Sequence, residues 1–219
     1  MDFKYSCFLS YRHGDKTMAT FAGQIVDALA DELSMLLDDY SSLPIFKDDR
    51  SIEVGDKIDP AIAQALCQSV CMVLIYTPNY LSEEKPYCAS ELEAVLRLEK
   101  ERLAKISEVN PKTSLLLTII LRGDRKELPQ VLKDRENEDF SAFALHTTEI
   151  RRNKKFSPQI QQIAKKIKSH CGIFDKGQKW CDGCHDFKLL DIKTEKDKLV
   201  KFMAHAKAGG IYEPDFDRS

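Results

Sequence analysis

The chain is poor in the features that mark unusual classes of protein. Its 219 residues include only 9 glycines, 8 prolines and one tryptophan, which excludes collagen-like and low-complexity chains. No apolar run approaches the roughly 18 residues of a membrane helix, and the first ten residues, which include Asp2 and Lys4, lack a signal-peptide pattern. The net charge of -2 provides no cationic surplus for nucleic acid. We therefore expect a cytosolic globular protein that binds neither nucleic acid nor a membrane.

The seven cysteines are an odd number and are spread along the chain. This distribution favours reduced thiols in a reducing compartment over a disulfide framework. Cys7, Cys67 and Cys71 lie within apolar runs, so we predict that they are small residues of the core.

Short apolar runs alternate with helical periodicity along most of the chain. We predict strands at residues 5–10, 43–47, 70–76, 114–121 and 143–147, and helices at 15–37, 61–66, 91–106 and 158–169. The third and fourth runs are apolar at nearly every position, which is typical of strands buried on both faces. The pattern predicts an α/β fold with a doubly wound, five-stranded parallel sheet in the flavodoxin-like order 2-1-3-4-5. The charged stretch at 121–139 is interpreted as a solvated connector.

This strand order predicts where a ligand binds. Ligands of such sheets lie beyond the carboxyl ends of the strands, at the switch point between the first and third strands. Tyr11, Arg12 and His13 follow the first strand, and Glu91 ends the segment that follows the third. A structural role for Glu91 stays open as well, because Ser90 and Glu93 fit a capping box and a helix dipole favours an acid near its start.

Four segments together carry a resemblance to a known family. In order they are CFLSYRH (7–13), IFKDDRSIEVGDKI (45–58), ALCQSVCMVLIYTPNYLSE (65–83) and YCASEL (87–92). They resemble the successive boxes of a TIR (Toll/interleukin-1 receptor) domain of the stand-alone prokaryotic type, over about residues 3–170. We accordingly place a TIR domain at 1–169 and a C-terminal helical extension at 170–219.

The resemblance assigns positions to the family's boxes. The strand end is matched by Phe8, Ser10, Tyr11 and Arg12, the acidic BB loop by Asp48, Asp49 and Gly55, and the last box by Tyr87, Cys88 and Glu91. Two positions depart from the family pattern. Tyr87 stands where a Trp is usual, and Lys57 stands where catalytic members often have an apolar or aromatic residue.

Many TIR domains are NAD+ glycohydrolases, and the resemblance implies that Glu91 is the catalytic residue. NAD+ is then a substrate and no cofactor is expected, with ADP-ribose or a cyclised isomer as product. Nicotinamide leaves as a neutral pyridine, so one carboxylate that stabilises an oxocarbenium-like state can be enough. Arg12 has the bidentate fork that suits a diphosphate. The remaining residues expected to bind substrate are Tyr11, His13, Asp48, Gly55, Tyr87 and Cys88; Phe8 is more simply a core residue.

Family members often act in assemblies, so the resemblance also implies partners. We expect self-association through TIR–TIR contacts, and a separate effector or sensor protein as in antiphage systems of the Thoeris type. The competing hypothesis is a non-catalytic TIR adaptor or scaffold that depends on residues 48–57 but not on Glu91. A receiver-like regulator is disfavoured, because Asp48 and Asp49 follow the second strand and not the first.

The segment at 170–187 packs three cysteines and two histidines together. Cys181 and Cys184 have zinc-knuckle spacing, and Cys171 with His170 or His185 completes a possible ligand set. We favour the alternative, a loop whose Trp180, Phe174 and Phe187 pack back on the domain.

A helix is predicted after this loop. Thr194 and Asp197 fit a capping box, and Gly209 with Gly210 is a stop signal. The apolar stripe of this helix is Leu199, Phe202, Met203 and Ala206. We expect the helix to dock through this stripe on its own domain or on another subunit.

Overall fold

The computed structural model describes residues 2–13, 16–37, 43–48, 60–84, 86–108, 110, 112–143, 150–174 and 178–209. The strands are β1 (Tyr5–Tyr11), β2 (Ile45–Lys47), β3 (Ser69–Tyr76), β4 (Leu116–Ile120) and β5 (Asn137–Asp139). The α-helices are α1 (Lys16–Leu36), α2 (Pro60–Cys67), α3 (Tyr87–Leu103), α4 (Gln130–Lys133), α5 (Phe156–Phe174) and α6 (Lys196–Ala208). None of the helices in these ranges is both long enough and apolar enough to cross a membrane.

The five strands form one parallel sheet in the order β2-β1-β3-β4-β5, which confirms the predicted fold class. Strand β3 lies at its centre, and all eight of its residues are buried. Side chains alternate between the two faces of each strand, so β1, β3 and β4 contribute to a core on each face of the sheet.

The first core lies between the sheet and helices α1 and α5, and β1 sends Cys7, Leu9 and Tyr11 into it. The second core lies on the other face, against α2, α3 and α6, and receives Phe8 from β1. Helix α1 follows β1 onto the first face, whereas α3 follows β3 onto the second. The carboxyl ends of these neighbouring strands therefore flank the switch point that the predicted strand order requires.

The helical periodicity predicted at 15–37 and 158–169 is confirmed by the apolar faces that α1 and α5 bury. The buried positions are Phe21, Ile25, Leu29 and Leu33 in α1, and Ile160, Ile163, Ala164 and Ile167 in α5. The predicted start of α3 was four residues late, because the helix begins at Tyr87 with Pro86 preceding it. Ser90 and Glu93 thus lie inside the helix and form no capping box.

The fifth strand was predicted in the wrong place. Strand β5 is Asn137–Asp139, inside the stretch interpreted as a connector, and it pairs with β4 at the edge of the sheet. A short polar edge strand lacks the apolar run used to recognise the others. Phe143, which began the predicted strand, is in a turn and packs edge-to-face with Phe140 and Phe156, while residues 144–149 lie outside the described residues.

Helix α6 docks on its own domain, since its whole predicted stripe is buried in the second core. Its predicted capping box is absent: Thr194 donates to Asp191 instead, and Glu195 precedes the helix. Gly209 ends the helix with φ +84, and a Cβ there would lie 2.6 Å from the Cγ of Gln130, so the position requires glycine. Helix α5 continues past residue 169, and the division into domain and extension stays a prediction.

One disulfide corrects the expectation of wholly reduced thiols. Cys67, at the end of α2, is bonded to Cys184 in the C-terminal segment. Cys7 and Cys71 are buried in the first core and Cys67 in the second, which confirms that all three are core residues, although Cys67 is in the disulfide and is not a free thiol.

Candidate functional site

Glu91 lies at the switch point and is almost completely buried, with 7% of its surface exposed. It is the fifth residue of α3. Ser10, near the end of β1, donates a hydrogen bond from its Oγ to Glu91 Oε2 over 2.5 Å. The hydroxyl of Tyr80, in the loop after β3, lies 2.6 Å from Ser10 Oγ. Because Ser10 has one proton and gives it to Glu91, Tyr80 is the donor to Ser10.

This enclosure changes the acidity of Glu91. Burial raises its pKa to about 8, the Ser10 hydrogen bond partly opposes that shift, and the charge of Asp48 adds to it. Burial also raises the pKa of the Tyr80 hydroxyl, with smaller contributions from Cys88 and Glu91. With a pKa of about 8, the Glu91 carboxyl is mainly protonated at neutral pH. A cation placed beside it would favour the carboxylate, since an opposite charge stabilises the ionised form.

Tyr11 and Arg12 occupy different environments at the end of β1. The side chain of Tyr11 is buried in the first core, on the opposite face from Ser10, and its hydroxyl donates to the backbone carbonyl of Asp48 over 3.3 Å. Its ring stacks on His13 with centroids 4.3 Å apart. Arg12 is half-buried, and its Nε finds no hydrogen-bond acceptor among the described residues. An oxygen-rich ligand would satisfy that donor.

The other predicted site residues surround Glu91 unevenly. Asp48 directly follows β2, is 4% exposed and lies close enough to influence the Glu91 carboxyl. Tyr87 is half-buried at the first position of α3, and Cys88 is buried beside Tyr80. Asp49, Gly55 and Lys57 lie outside the described residues. Phe8 is fully buried in the second core, as predicted.

Sequence reasoning missed what Ser10 and Tyr80 do. Ser10 was noted as part of a motif, but its bond to Glu91 was not predicted, and Tyr80 was not singled out. The alternation of β1 could have predicted the position of Ser10, because Ser10 lies on the same face of the strand as Phe8 and α3 covers that face. No comparable periodicity marks Tyr80, because it lies in a loop.

The structure does not bring the three zinc candidates together. Cys184 is in the disulfide, Cys171 is buried in the first core, and Cys181 is a half-buried thiol whose Sγ lies 3.9 Å from the Cys67 carbonyl oxygen. Over the described part of the chain, no three His, Cys, Asp or Glu side chains are grouped as metal ligands. The loop packs back on the domain, with Trp180 edge-to-face on Phe174 at 4.9 Å.

The fold and the site define an α/β protein that carries a buried glutamate at the ligand-binding edge of its sheet. The family model described as "TIR domain" matches residues 7–163, and the chain therefore belongs to the TIR domain family.

One curated relative is the probable 2' cyclic ADP-D-ribose synthase BdTIR of Brachypodium distachyon, 27% identical over 130 residues. The alignment covers 59% of this chain and 52% of that protein, so the chain spans about half the length of this relative. Among solved structures, the TIR domains of the activated Roq1 resistosome that recognises the effector XopQ match with a TM-score of 0.38 and 16% identity. That match covers 91% of this chain and 98% of the other.

Proposed function

We propose that this protein cleaves the bond between nicotinamide and ribose in NAD+, with Glu91 as the catalytic carboxylate. The observation that carries the proposal is the buried Glu91 carboxyl, held by Ser10 at the switch point between β1 and β3. Membership of the TIR family supports it, as does the activity named for the Brachypodium relative.

The environment of Glu91 suits this chemistry. The nicotinamide of NAD+ is cationic and leaves as a neutral molecule, so the departure needs no general acid. Positive charge moves onto the ribose as the bond breaks, and a carboxylate in a site shielded from water stabilises that charge far more than it would in bulk water. The cationic substrate would itself help Glu91 to lose its proton, which would pass to water.

The other site residues have supporting roles in the proposal. The Nε of Arg12, which has no acceptor among the described residues, donates to the diphosphate, and Asp48 and Tyr87 line the ribose and nicotinamide ends. Tyr11 and His13 stack on one another and shape the end of β1 without touching the reacting bond. Attack by water gives ADP-ribose, whereas attack by a hydroxyl of the same molecule gives a cyclic isomer.

The wider role belongs to the same proposal and rests on the family resemblance. The product would be a nucleotide signal in antiphage defence of the Thoeris type, read by a separate effector. Self-association through TIR–TIR contacts would complete the substrate site, with the predicted BB loop contributing from outside the described residues.

The test is the reaction of the wild-type chain with NAD+ at high protein concentration and under crowding. Free nicotinamide and adenine nucleotides are separated by chromatography and identified by mass. We expect one ADP-ribosyl product for each nicotinamide released, and no release by Glu91→Gln.

The matched control is Glu101→Gln, which removes a carboxylate from an exposed position of the same helix. Its rate should equal that of the wild type. A wild type that never releases nicotinamide, or a folded Glu91→Gln as fast as the wild type, would contradict the proposal and favour a non-catalytic adaptor.

A further inference from the structure

Residues 184–190, called the strap from here on, run beside helix α3 and bond to it at two places. Ser90 donates from its Oγ to the Leu190 carbonyl over 2.9 Å. Arg97, two turns further along α3, donates from Nη2 to the Lys188 carbonyl over 2.8 Å. The Arg97 guanidinium also lies 4.8 Å from the centroid of the Phe187 ring, at cation–π distance. The strap and α3 are thus joined by polar and aromatic contacts.

Both ends of the strap are fixed. Cys184 is bonded to Cys67, the last residue of α2, and the two cysteines are only 1% and 5% exposed. At the other end, the Asp191 carboxylate accepts hydrogen bonds from the backbone N–H groups of Lys193 and Thr194. That turn leads into α6, which is packed in the second core. The strap is therefore held across α3 between two anchored points.

Ser90 links the strap to the candidate site because it directly precedes Glu91. Successive residues of an α-helix point about 100° apart, so α3 meets the strap with Ser90 and meets Ser10 with Glu91. Ser90 is completely buried, so its hydroxyl has no water to replace the Leu190 carbonyl. Movement of the first two turns of α3 would change the placement of Glu91 relative to Ser10, and a misplacement of about 1 Å can slow a reaction about a hundredfold.

We propose that the strap is a positioning element for Glu91, acting through Ser90 and Arg97 of α3 and locked by the disulfide between Cys67 and Cys184. Ser90 is a positioning residue and does not touch the substrate. The catalytic consequence rests on the proposed cleavage of NAD+, whereas the mechanical coupling of strap to helix does not. A dithiol reductant would release the lock: it closes to its own disulfide and transfers two electrons and two protons to the cysteine pair, which leaves two free thiols.

The coupling is tested first by hydrogen exchange, without any substrate. The amides of residues 87–95 are followed in the wild type before and after dithiothreitol treatment, with a thiol count to confirm reduction. We expect exchange there to become at least about tenfold faster on reduction and in Cys184→Ser. Cys181→Ser, which lies in the same loop and keeps the disulfide, should exchange like the wild type. Unchanged exchange in residues 87–95 of both reduced protein and Cys184→Ser would overturn the inference.

A second variant covers the case in which Cys184→Ser does not fold. Ser90→Ala keeps the disulfide and removes only the bond to Leu190, so its helix should also exchange faster. Where nicotinamide is released, kcat of Ser90→Ala should fall at least about tenfold with KM changed less than about threefold. The pH midpoint of turnover should move down as water reaches Glu91, which a merely structural contact would not cause. Absence of nicotinamide release in every form would count against the proposed function alone, because hydrogen exchange reports on the strap independently.

Discussion

The two faces of the sheet are built for different tasks. The first core is filled by apolar side chains and by the buried thiols of Cys7, Cys71 and Cys171. The second core is equally apolar near its centre, but at the carboxyl edge it encloses the hydroxyls of Ser10 and Tyr80 and the carboxyl of Glu91. Burying an ionisable group costs stability unless it is paired, and such groups concentrate at functional sites. The comparison indicates that the first face contributes mainly apolar packing, whereas the second gives up some stability to enclose the carboxyl of Glu91.

The largest predicted effect is the pH dependence that the buried Glu91 gives to the stability of the protein, which Glu91→Gln should remove. Glu91 in the native state keeps its proton up to pH about 8, whereas the unfolded chain releases it near 4.5. Between these values the native state binds more protons, so the free energy of unfolding falls as pH rises. Between pH 5 and 8, the free energy of unfolding of the wild type should therefore fall by a few kcal/mol, at most about 5, relative to that of Glu91→Gln. Urea unfolding of both proteins across this range measures it, and parallel stability curves would contradict the raised pKa.

The same experiment on the first face should give a loss that does not depend on pH. Leu29 of α1 is completely buried, so Leu29→Ala should cost about 3 kcal/mol through lost apolar contact and a cavity. The difference from the wild type should be equal at pH 5 and pH 8, because the substitution neither adds nor removes a titratable group. Nicotinamide release per folded molecule should stay at the wild-type rate. A shifted pH profile of turnover would show that the two faces are not independent.

A smaller change sharpens the comparison at the site itself. Ser10→Ala removes the hydrogen bond that lowers the pKa of Glu91 and leaves the Tyr80 hydroxyl without its partner. The free energy of unfolding should fall by about 1 to 2 kcal/mol. The pH midpoint of kcat/KM should move upward, because the carboxylate has lost a donor. A midpoint unchanged from the wild type would show that Ser10 does not influence the ionisation of Glu91.

The smallest effect concerns the surface of the first face. Arg151 pairs with Asp31 of α1 over 2.9 Å, but the two side chains are 49% and 66% exposed. Arg151→Met should therefore change stability by less than about 0.5 kcal/mol, since exposed pairs are screened by solvent. A loss above about 1 kcal/mol on thermal or urea unfolding would mean that polar contacts matter on this face too.

The parts of the fold that repeat a simple period could be predicted from sequence. The stripes of α1 and α5 and the continuous apolar runs of β3 and β4 follow directly from helical and strand geometry. The alternation of strands and helices favours the common order 2-1-3-4-5, and that order places Glu91 at the carboxyl edge of the sheet. The short polar edge strand β5 has no such period, because its residues are exposed or only partly buried, whereas every residue of β3 is buried.

The remaining features depend on contacts between distant residues. The disulfide joins cysteines 117 positions apart, and sequence alone cannot say which of seven cysteines pair. The enclosure of Glu91 by Ser10 and Tyr80 likewise joins three separate segments. Helix α3 also starts earlier than predicted, because its first turn places Cys88 and Ala89 in the second core while Ser90 bonds to the strap.

The central claim is that Glu91 is a buried carboxyl prepared to meet a cation. The most direct test is the titration of its side-chain carboxyl carbon by NMR between pH 4 and 10, assigned with Glu91→Gln. It is repeated with an NAD+ analogue in which a methylene replaces the ribose ring oxygen, which keeps the positive charge but is not cleaved. The account predicts a midpoint of about 8 in the free protein and a lower one with the analogue bound. A midpoint near 4.5 that the analogue does not move would contradict it.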